Sequence, residues 1–362
     1  MLHDASVKTN SSKKGELTVC FITDGGRQMG MGHVQQSITL ARELQGKASI
    51  FFITKSNEIV LTVIRESGFA VVNLQNDIQV YDYLVNSNPN IIIFDKIDVD
   101  EELAKKIRTE TSSRLIIFTN LTNANQYAHI AVLPRAEDLC VDPVSRFKNL
   151  TYTNKSTNTE YFFGPKYWIL RREFFEYKKL KKSTPEITAN ILLTFGGSDS
   201  TNITCQVLKR ILEIDCKYHI DIVLGQQFCF HNEVKAVLDI HREKRVNVSL
   251  HSNVKNMAEL MYHSDLVVTA AGMTMFEALC VGTPIIVIPQ DALQRDTYKG
   301  VVRLLEIDEL GNLEKMILDA DFTNSKDSNI IDMDIGLGLQ ELVDAILIQK
   351  DYEKNFIERT IA

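Results

Sequence analysis

Nothing in the sequence is arranged to hold a structural metal or to be stapled by disulfides. The six cysteines (Cys20, Cys140, Cys205, Cys216, Cys229 and Cys280) are scattered, with no CxxC pair and no Cys/His cluster at ligand spacing. They read as reduced, mostly buried thiols of a cytoplasmic protein, and no metal site is expected. No apolar run approaches the roughly 18 residues that a bilayer crossing needs. The opening MLHDASVKTNSSKKGE is polar and lacks the apolar stretch of a secretory signal, so residues 1–15 are expected to be a loose tail. An excess of positive charge is missing too. The net charge of -7 repels phosphates and argues against non-specific binding to nucleic acid. The lysines between Lys178 and Lys182 have no stacking aromatics with them and read as an exposed helix end.

What is present is the composition of a folded globular protein, with 44% hydrophobic and 24% charged residues. A length of 362 residues suits two domains. Short runs rich in Val, Ile, Leu and Phe (LTVCFIT, SIFFIT, FAVVNL, NIIIFD, RLIIFT) alternate with helix-period segments through the first half. Nearly continuous apolar strands separated by helices predict a parallel sheet covered on both faces. Between about 120 and 161 the periodicity fades, with AHIAVL the one clear further strand. A Ser-Thr-Pro connection follows the lysine run, and the pattern restarts with NILLTFGG, HIDIVLG, VNVSLH, DLVVTAAG and PIIVIP. The expected fold class is therefore α/β, with an N-terminal domain over 16–176, a C-terminal one over 186–350 and a helical tail over 338–362. Two such units leave a cleft between the carboxyl ends of their strands, where open α/β sheets bind ligands.

Three glycine loops open toward that cleft. In TDGGRQMGMGH, Gly30 and Gly32 lead from a strand into a helix, where backbone amides and the helix dipole favour an anion. His33 stands at the mouth of the helix, either as a chemical group or as a polar helix start bonded only to backbone. In FGGSDSTN, the pair Gly196-Gly197 ends a strand, and Ser198, Asp199 or Ser200 is suited to cap a helix beginning near Asn202. In TAAGMTMFEALCVGTP a strand ends at Gly272 and a helix starts at once, with Glu277 on it. Asp24 and Asp95 also end strands on the cleft side and are candidates to orient an imidazole or a sugar hydroxyl, or to cap a helix.

Taken together, GMGH, PKYWILRREF, LLTFGGSDSTNIT and NMAELMYHSDLVVTAAGMTMFEALCVGTPIIVIP resemble the UDP-sugar hydrolases of the pseudaminic acid pathway and their spore-coat polysaccharide relatives. The peptidoglycan N-acetylglucosaminyltransferase is a more distant likeness. The resemblance runs in order over most of residues 16 to 300 and implies a GT-B architecture, two Rossmann-like domains with the nucleotide held mainly by the second. It implies that Ala271, Gly272, Met273 and Thr274 meet the pyrophosphate, that Glu277 accepts the ribose hydroxyls, and that Gly196, Gly197 and Ser198 form part of the phosphate cradle. His33 becomes the general base, with Asp24 and Asp95 beside it, and Gly30, Gly32, Tyr167, Arg171, Asp199, Gly225 and Gln294 join the binding set. No cofactor is implied; the partner is a UDP-sugar. A neutral imidazole suits proton removal near pH 7, and the helix start favours that neutral form. Three positions depart from the pattern: Gln36 where these hydrolases carry Arg, Asp95-Lys96-Ile97 where they carry Asp-His-Tyr, and Leu293-Gln294 where they carry Asn-Gln.

The leading expectation is hydrolysis of a UDP-linked amino sugar. Sugar transfer to a polysaccharide, protein or lipid acceptor, with peripheral membrane contact for a membrane-bound acceptor, stands second. A nucleotide-sugar binding protein without catalysis follows, motivated by Gln36, Lys96 and Leu293. An NAD-dependent oxidoreductase is weaker, because no ribose acid follows the first glycine turn at the expected distance.

Overall fold

The structure is a computed structural model that describes residues 16–26, 29–133, 148–180, 190–214, 218–242, 247–252, 254–299, 302–318 and 334–348. The tail expected over 1–15, Cys140, Cys216, Lys181, Lys182, the Ser-Thr-Pro connection and the last part of the C-terminal helix lie outside these residues.

The first half alternates β1 (Thr18–Thr23), α1 (Gly32–Leu44), β2 (Ser49–Thr54), α2 (Glu58–Glu66), β3 (Ala70–Asn73), α3 (Asp77–Ser87), β4 (Ile91–Asp95), α4 (Glu101–Glu110) and β5 (Arg114–Phe118). It then closes with β6 (Ile130–Leu133), β7 (Leu150–Asn154) and β8 (Thr159–Phe163). The strands form one sheet in the order β3-β2-β1-β4-β5-β6-β8-β7, parallel except for β7. The central strands β4 and β5 are buried at every residue, as their unbroken apolar sequence requires.

The hairpin β7–β8 is a finding that periodicity did not anticipate. Its sequence, LTYTN and TEYFF, is Thr-rich, and β7 is an exposed edge strand. Edge strands pack on one side at most, so polar residues replace the apolar run that marks a buried strand.

The second half runs α5 (Arg172–Lys178), β9 (Asn190–Thr194), α6 (Ile203–Glu213), β10 (His219–Leu224), α7 (His231–Ile240), β11 (Asn247–Ser252), α8 (Met257–His263), β12 (Leu266–Thr269), α9 (Met273–Val281), β13 (Ile285–Val287), α10 (Ala292–Tyr298), α11 (Leu313–Leu318) and α12 (Leu339–Leu347). Its sheet is parallel, in the order β11-β10-β9-β12-β13. The architecture is GT-B, two Rossmann-like lobes that face each other through the carboxyl ends of their strands.

The lobes are stitched by an extended segment whose alternate side chains enter different cores. Tyr167 and Ile169 pack into the N-terminal core, while Trp168 and Leu170 pack into the C-terminal one. Residues 336–338 cross back over this seam, with Gly336 N donating to Pro165 O (3.0 Å) and Gly338 N to Lys166 O (2.8 Å). A Cβ on Gly338 would sit 2.6 Å from the Tyr167 ring, so the crossing requires glycine.

Both expected domain limits therefore move. Helix α5, placed in the first domain by the 176 boundary, packs on α8 and α9 of the second lobe. Helix α12, which falls within both the second domain expected to 350 and the helical tail expected over 338–362, buries Leu342, Val343 and Ile346 in the N-terminal core. The buried Arg114 guanidinium holds the end of α12, donating to the carbonyls of Ala345 (2.6 Å), Ile346 (3.0 Å) and Ile348 (2.6 Å). Sequence periodicity shows that a helix has an apolar stripe but not which core receives it.

Candidate active site between the lobes

At the N-terminal side, β4 ends in Asp95 and α1 begins one residue before His33. Their side chains meet: His33 Nδ1 lies 2.8 Å from Asp95 Oδ1. Asp95 is 2% exposed, and its carboxylate is held from every side. Thr119 Oγ1 donates to Oδ1 (3.1 Å), while Gln36 Nε2 and Ser37 Oγ each donate to Oδ2 (3.1 Å). Residues 33, 36 and 37 lie on one face of α1, so a single helical turn supplies three of the four donors. A carboxylate at Nδ1 keeps the proton there and leaves Nε2 with its lone pair, the arrangement of a general base. Among the described residues Nε2 has no hydrogen-bond partner.

Thr119 carries φ 56°, a left-handed backbone rarely adopted by a β-branched residue. Its hydroxyl is 3.2 Å from His33 Nδ1 as well as bonded to Asp95. Sequence reading missed Thr119 and Ser37. The signal for Thr119 was its place at the end of RLIIFT, one residue beyond Phe118, which pairs with Asp95 on the neighbouring strand.

Asp24 does not join this group. Its Oδ1 accepts from Lys55 N (2.7 Å) and Thr54 Oγ1 (3.1 Å), and its Oδ2 pairs with Lys96 Nζ (3.2 Å). Burial pushes the Asp24 carboxyl up, but the Lys55 amide and the Lys96 ammonium outweigh it and lower its pKa. Burial pulls Lys96 down, and Asp24 and Asp98 more than restore it, so its pKa rises. Lys96 thus ties the end of β4 to the end of β1.

At the C-terminal side, α9 starts immediately after Gly272 with no side-chain cap. Its first amides are available to an anion. Glu277 on the same helix is 3.4 Å from Arg171, which also pairs with Glu173 (3.0 Å). Burial pushes the Glu277 carboxyl up to about 7, against the pull of Arg171. The second glycine loop, Gly196 to Ser198, is braced by the turn after β10: Gln227 N donates to Gly197 O (2.9 Å).

The lobes touch through these loops. An added Cβ on Gly197 would lie 2.9 Å from Met31 Cγ, and one on Gly32 would lie 3.6 Å from Met273 Cγ. Gln227 Nε2 lies 3.3 Å from Met31 Sδ. Gly32 and His33, at the start of α1, therefore stand opposite the start of α9. Within the first loop, Gly26 and Gly30 exchange backbone hydrogen bonds of 2.9 and 2.7 Å.

Four other residues expected to bind ligand have different partners. Tyr167 is buried in the seam, its hydroxyl 3.1 Å from both Thr151 Oγ1 and Glu341 Oε1. Asp199 caps α6, accepting from Ile203 N and Thr204 N at 2.9 Å each; of the three capping candidates it is the one that fits. Gly225 serves close packing, since a Cβ there would be 2.3 Å from the carbonyls of Gly196 and Gly197. Gln294 interacts with its neighbours, accepting from Gln290 N (3.0 Å) and receiving the Asp291 cap at its own amide (2.8 Å). Of the described cysteines, Cys20, Cys205 and Cys280 are buried and Cys229 is exposed. No helix among the described residues is long and apolar enough to cross a membrane.

Comparison with known proteins agrees with the two-lobed fold. Residues 191–305 match the glycosyltransferase family 28 C-terminal domain. Among solved structures, MurG of Acinetobacter baumannii superposes with a TM-score of 0.59 at 13% identity, covering 91% of this chain and 99% of its own. The UDP-GlcNAc 2-epimerase of Neisseria meningitidis bound to UDP-GlcNAc gives 0.57 at 12% identity, covering 91% and 100%. The fold is thus GT-B, and residues 191–305 resemble a glycosyltransferase domain.

Two relatives are nearer in sequence. The uncharacterized protein MJ1062 of Methanocaldococcus jannaschii is 38% identical over 91% of this chain, which spans 66% of that relative's length. The spore coat polysaccharide biosynthesis protein SpsG of Bacillus subtilis is 27% identical over 78% of this chain and 80% of its own.

Proposed function

We propose that the protein cleaves a UDP-linked amino or deoxy sugar, holding the nucleotide on its second lobe and activating water with His33, and so releases UDP in the making of a surface polysaccharide or glycoprotein sugar. The observation that carries this reading is the His33–Asp95 pair standing opposite the uncapped start of α9. The neighbour solved with UDP-GlcNAc and the spore-coat polysaccharide relative support a nucleotide sugar as the ligand.

The chemistry follows from the groups present. Water attacks the anomeric carbon while its proton passes to His33 Nε2, and the bond from that carbon to the diphosphate oxygen breaks, UDP leaving with the electron pair. The imidazolium formed is stabilised by Asp95. The charge developing on the diphosphate faces the amides of Met273 and Thr274 and the Gly196–Ser198 loop. Glu277, with Arg171 beside it, accepts the ribose hydroxyls.

Sugar transfer on the same scaffold is the second reading, favoured by the match of residues 191–305 to a glycosyltransferase domain. The acceptor hydroxyl would then replace water at His33. Incubation with a UDP-sugar panel and no acceptor tests the proposal. UDP release at enzymatic rates supports hydrolysis, and release only after an acceptor is added supports transfer. Equal turnover by wild type and His33→Ala would overturn both.

A further inference from the structure

Immediately behind the His33–Asp95 pair lies a small recess lined by Gln36, Phe118, Thr119, Val132, Leu133 and Trp168, among others. Two of these residues carry a buried polar atom that, among the described residues, lacks a hydrogen-bond partner: Gln36 Oε1 and Trp168 Nε1. Gln36 is 3% exposed and Trp168 9%. The Gln36 orientation is not arbitrary. Its Nε2 donates to Asp95 Oδ2, and the flipped amide would set oxygen against a carboxylate. Its Oε1 is thereby left as an acceptor. The Trp168 ring is held against Phe276 of α9, with centroids 5.0 Å apart, which leaves the indole N–H as a fixed donor. Buried polar atoms of native proteins are almost always paired, so an unpaired acceptor and an unpaired donor on two residues that line one recess point to a ligand group that supplies both partners.

We propose that this recess is a subsite that reads one uncharged substituent of the sugar, a hydroxyl or a carboxamide, through an N–H or O–H given to Gln36 Oε1 and an oxygen receiving the Trp168 N–H. The assignment rests on the reading of the cleft as a nucleotide-sugar site. No Lys, Arg, Asp or Glu lines the recess, so a phosphate, carboxylate or ammonium substituent would be buried without a countercharge and is excluded. Phe118, Val132 and Leu133 give the remaining wall an apolar character that suits the carbon frame of such a group. Discrimination is expected to be sharp, because a substrate lacking the substituent leaves both protein groups unpaired.

Trp168 is the single tryptophan of the chain, so its emission reports on the recess directly. The experiment titrates wild type and Trp168→Phe with UDP, UDP-glucose and UDP-N-acetylglucosamine, following tryptophan emission in the wild type and affinity by calorimetry in both. The substitution keeps an aromatic ring against Phe276 and removes the N–H together with part of the indole. Expected is an emission change with a UDP-sugar beyond that seen with UDP, and a UDP-sugar affinity about tenfold weaker in Trp168→Phe with UDP affinity within twofold of wild type. Comparison of the two sugars tells a hydroxyl from a carboxamide occupant. An emission that UDP-sugars at saturation do not move beyond UDP, or a variant that loses affinity for UDP and UDP-sugar equally, overturns the subsite while leaving the nucleotide reading intact. Failure of UDP itself to bind overturns both. The wild-type titration needs no variant to fold.

Discussion

The side chains of His33 and Asp95 meet at 2.8 Å although they are 62 positions apart, and three further donors fix the carboxylate between them. Asp95→Asn keeps the shape but offers an amide to the ring, so the proton is no longer held on Nδ1. Activity on a UDP-sugar is expected to fall about 10²- to 10⁴-fold, with UDP affinity unchanged by calorimetry. Unchanged turnover would show that the pair has no catalytic role.

Glu277 sets the expected pH dependence. Its carboxyl lies at about 7 in the folded protein against an ordinary 4.5. Below the ordinary value both folded and unfolded chains carry the proton. Between the two values the unfolded chain loses it first, so stability falls as pH rises through this window, by at most about 3 kcal/mol. A ribose hydroxyl donates best to the ionised carboxylate, so UDP affinity moves the other way, rising about tenfold per pH unit toward 7 and levelling above it. Calorimetry at pH 6 and 8 checks the second trend and thermal melting the first. Glu277→Gln flattens both, and a UDP affinity that is equal at the two pH values in wild type removes Glu277 from the site.

Thr119 combines a left-handed backbone with a hydroxyl that touches both His33 and Asp95. Thr119→Val keeps the shape and loses the hydroxyl, and is expected to lower kcat about tenfold, a loss of about 1.4 kcal/mol in transition-state stabilisation. Thr119→Ser restores the hydroxyl and most of the rate. Equal rates for the two variants would make the residue purely structural.

Two glycines separate packing from lobe contact. Gly225→Ala drives a Cβ into the Gly196 and Gly197 carbonyls at 2.3 Å and is expected to destabilise the protein by about 3 kcal/mol. Gly197→Ala meets Met31 first, across the gap between the lobes, and is expected to lower activity with a melting temperature close to wild type. The opposite ranking in thermal melts would reverse this assignment.

Asp199→Ala removes the cap of α6 and is expected to cost about 1 kcal/mol without changing UDP affinity. A tenfold loss of UDP affinity at equal stability would return Asp199 to the binding set.

Much of this could be read from order along the chain, because each β-α unit is local. Strands buried on both faces must be largely apolar, so IIIFD and RLIIF announce themselves, and a glycine-rich turn from a strand into a helix suggests an anion site. The two sheets and the three glycine loops needed nothing else, whereas the roles expected of His33, Gly272 and Glu277 came from the resemblance to the UDP-sugar hydrolases. The same local logic failed at β7–β8, where an exposed edge requires no apolar signature.

Side-chain partners were beyond that reach, since they depend on which chain segments meet. Asp24 and Asp95 look alike as strand-ending acids, yet Lys96 takes the first and His33 the second. Gln36 departs from the pattern of the hydrolases that the sequence resembles and in space becomes a donor to Asp95. The assignment of α5 and α12 to opposite lobes, and the alternation of Tyr167, Trp168, Ile169 and Leu170 between two cores, follow from apolar faces that could have packed on either lobe. Burial energy depends on area and not on address, so only the assembled molecule selects the neighbour.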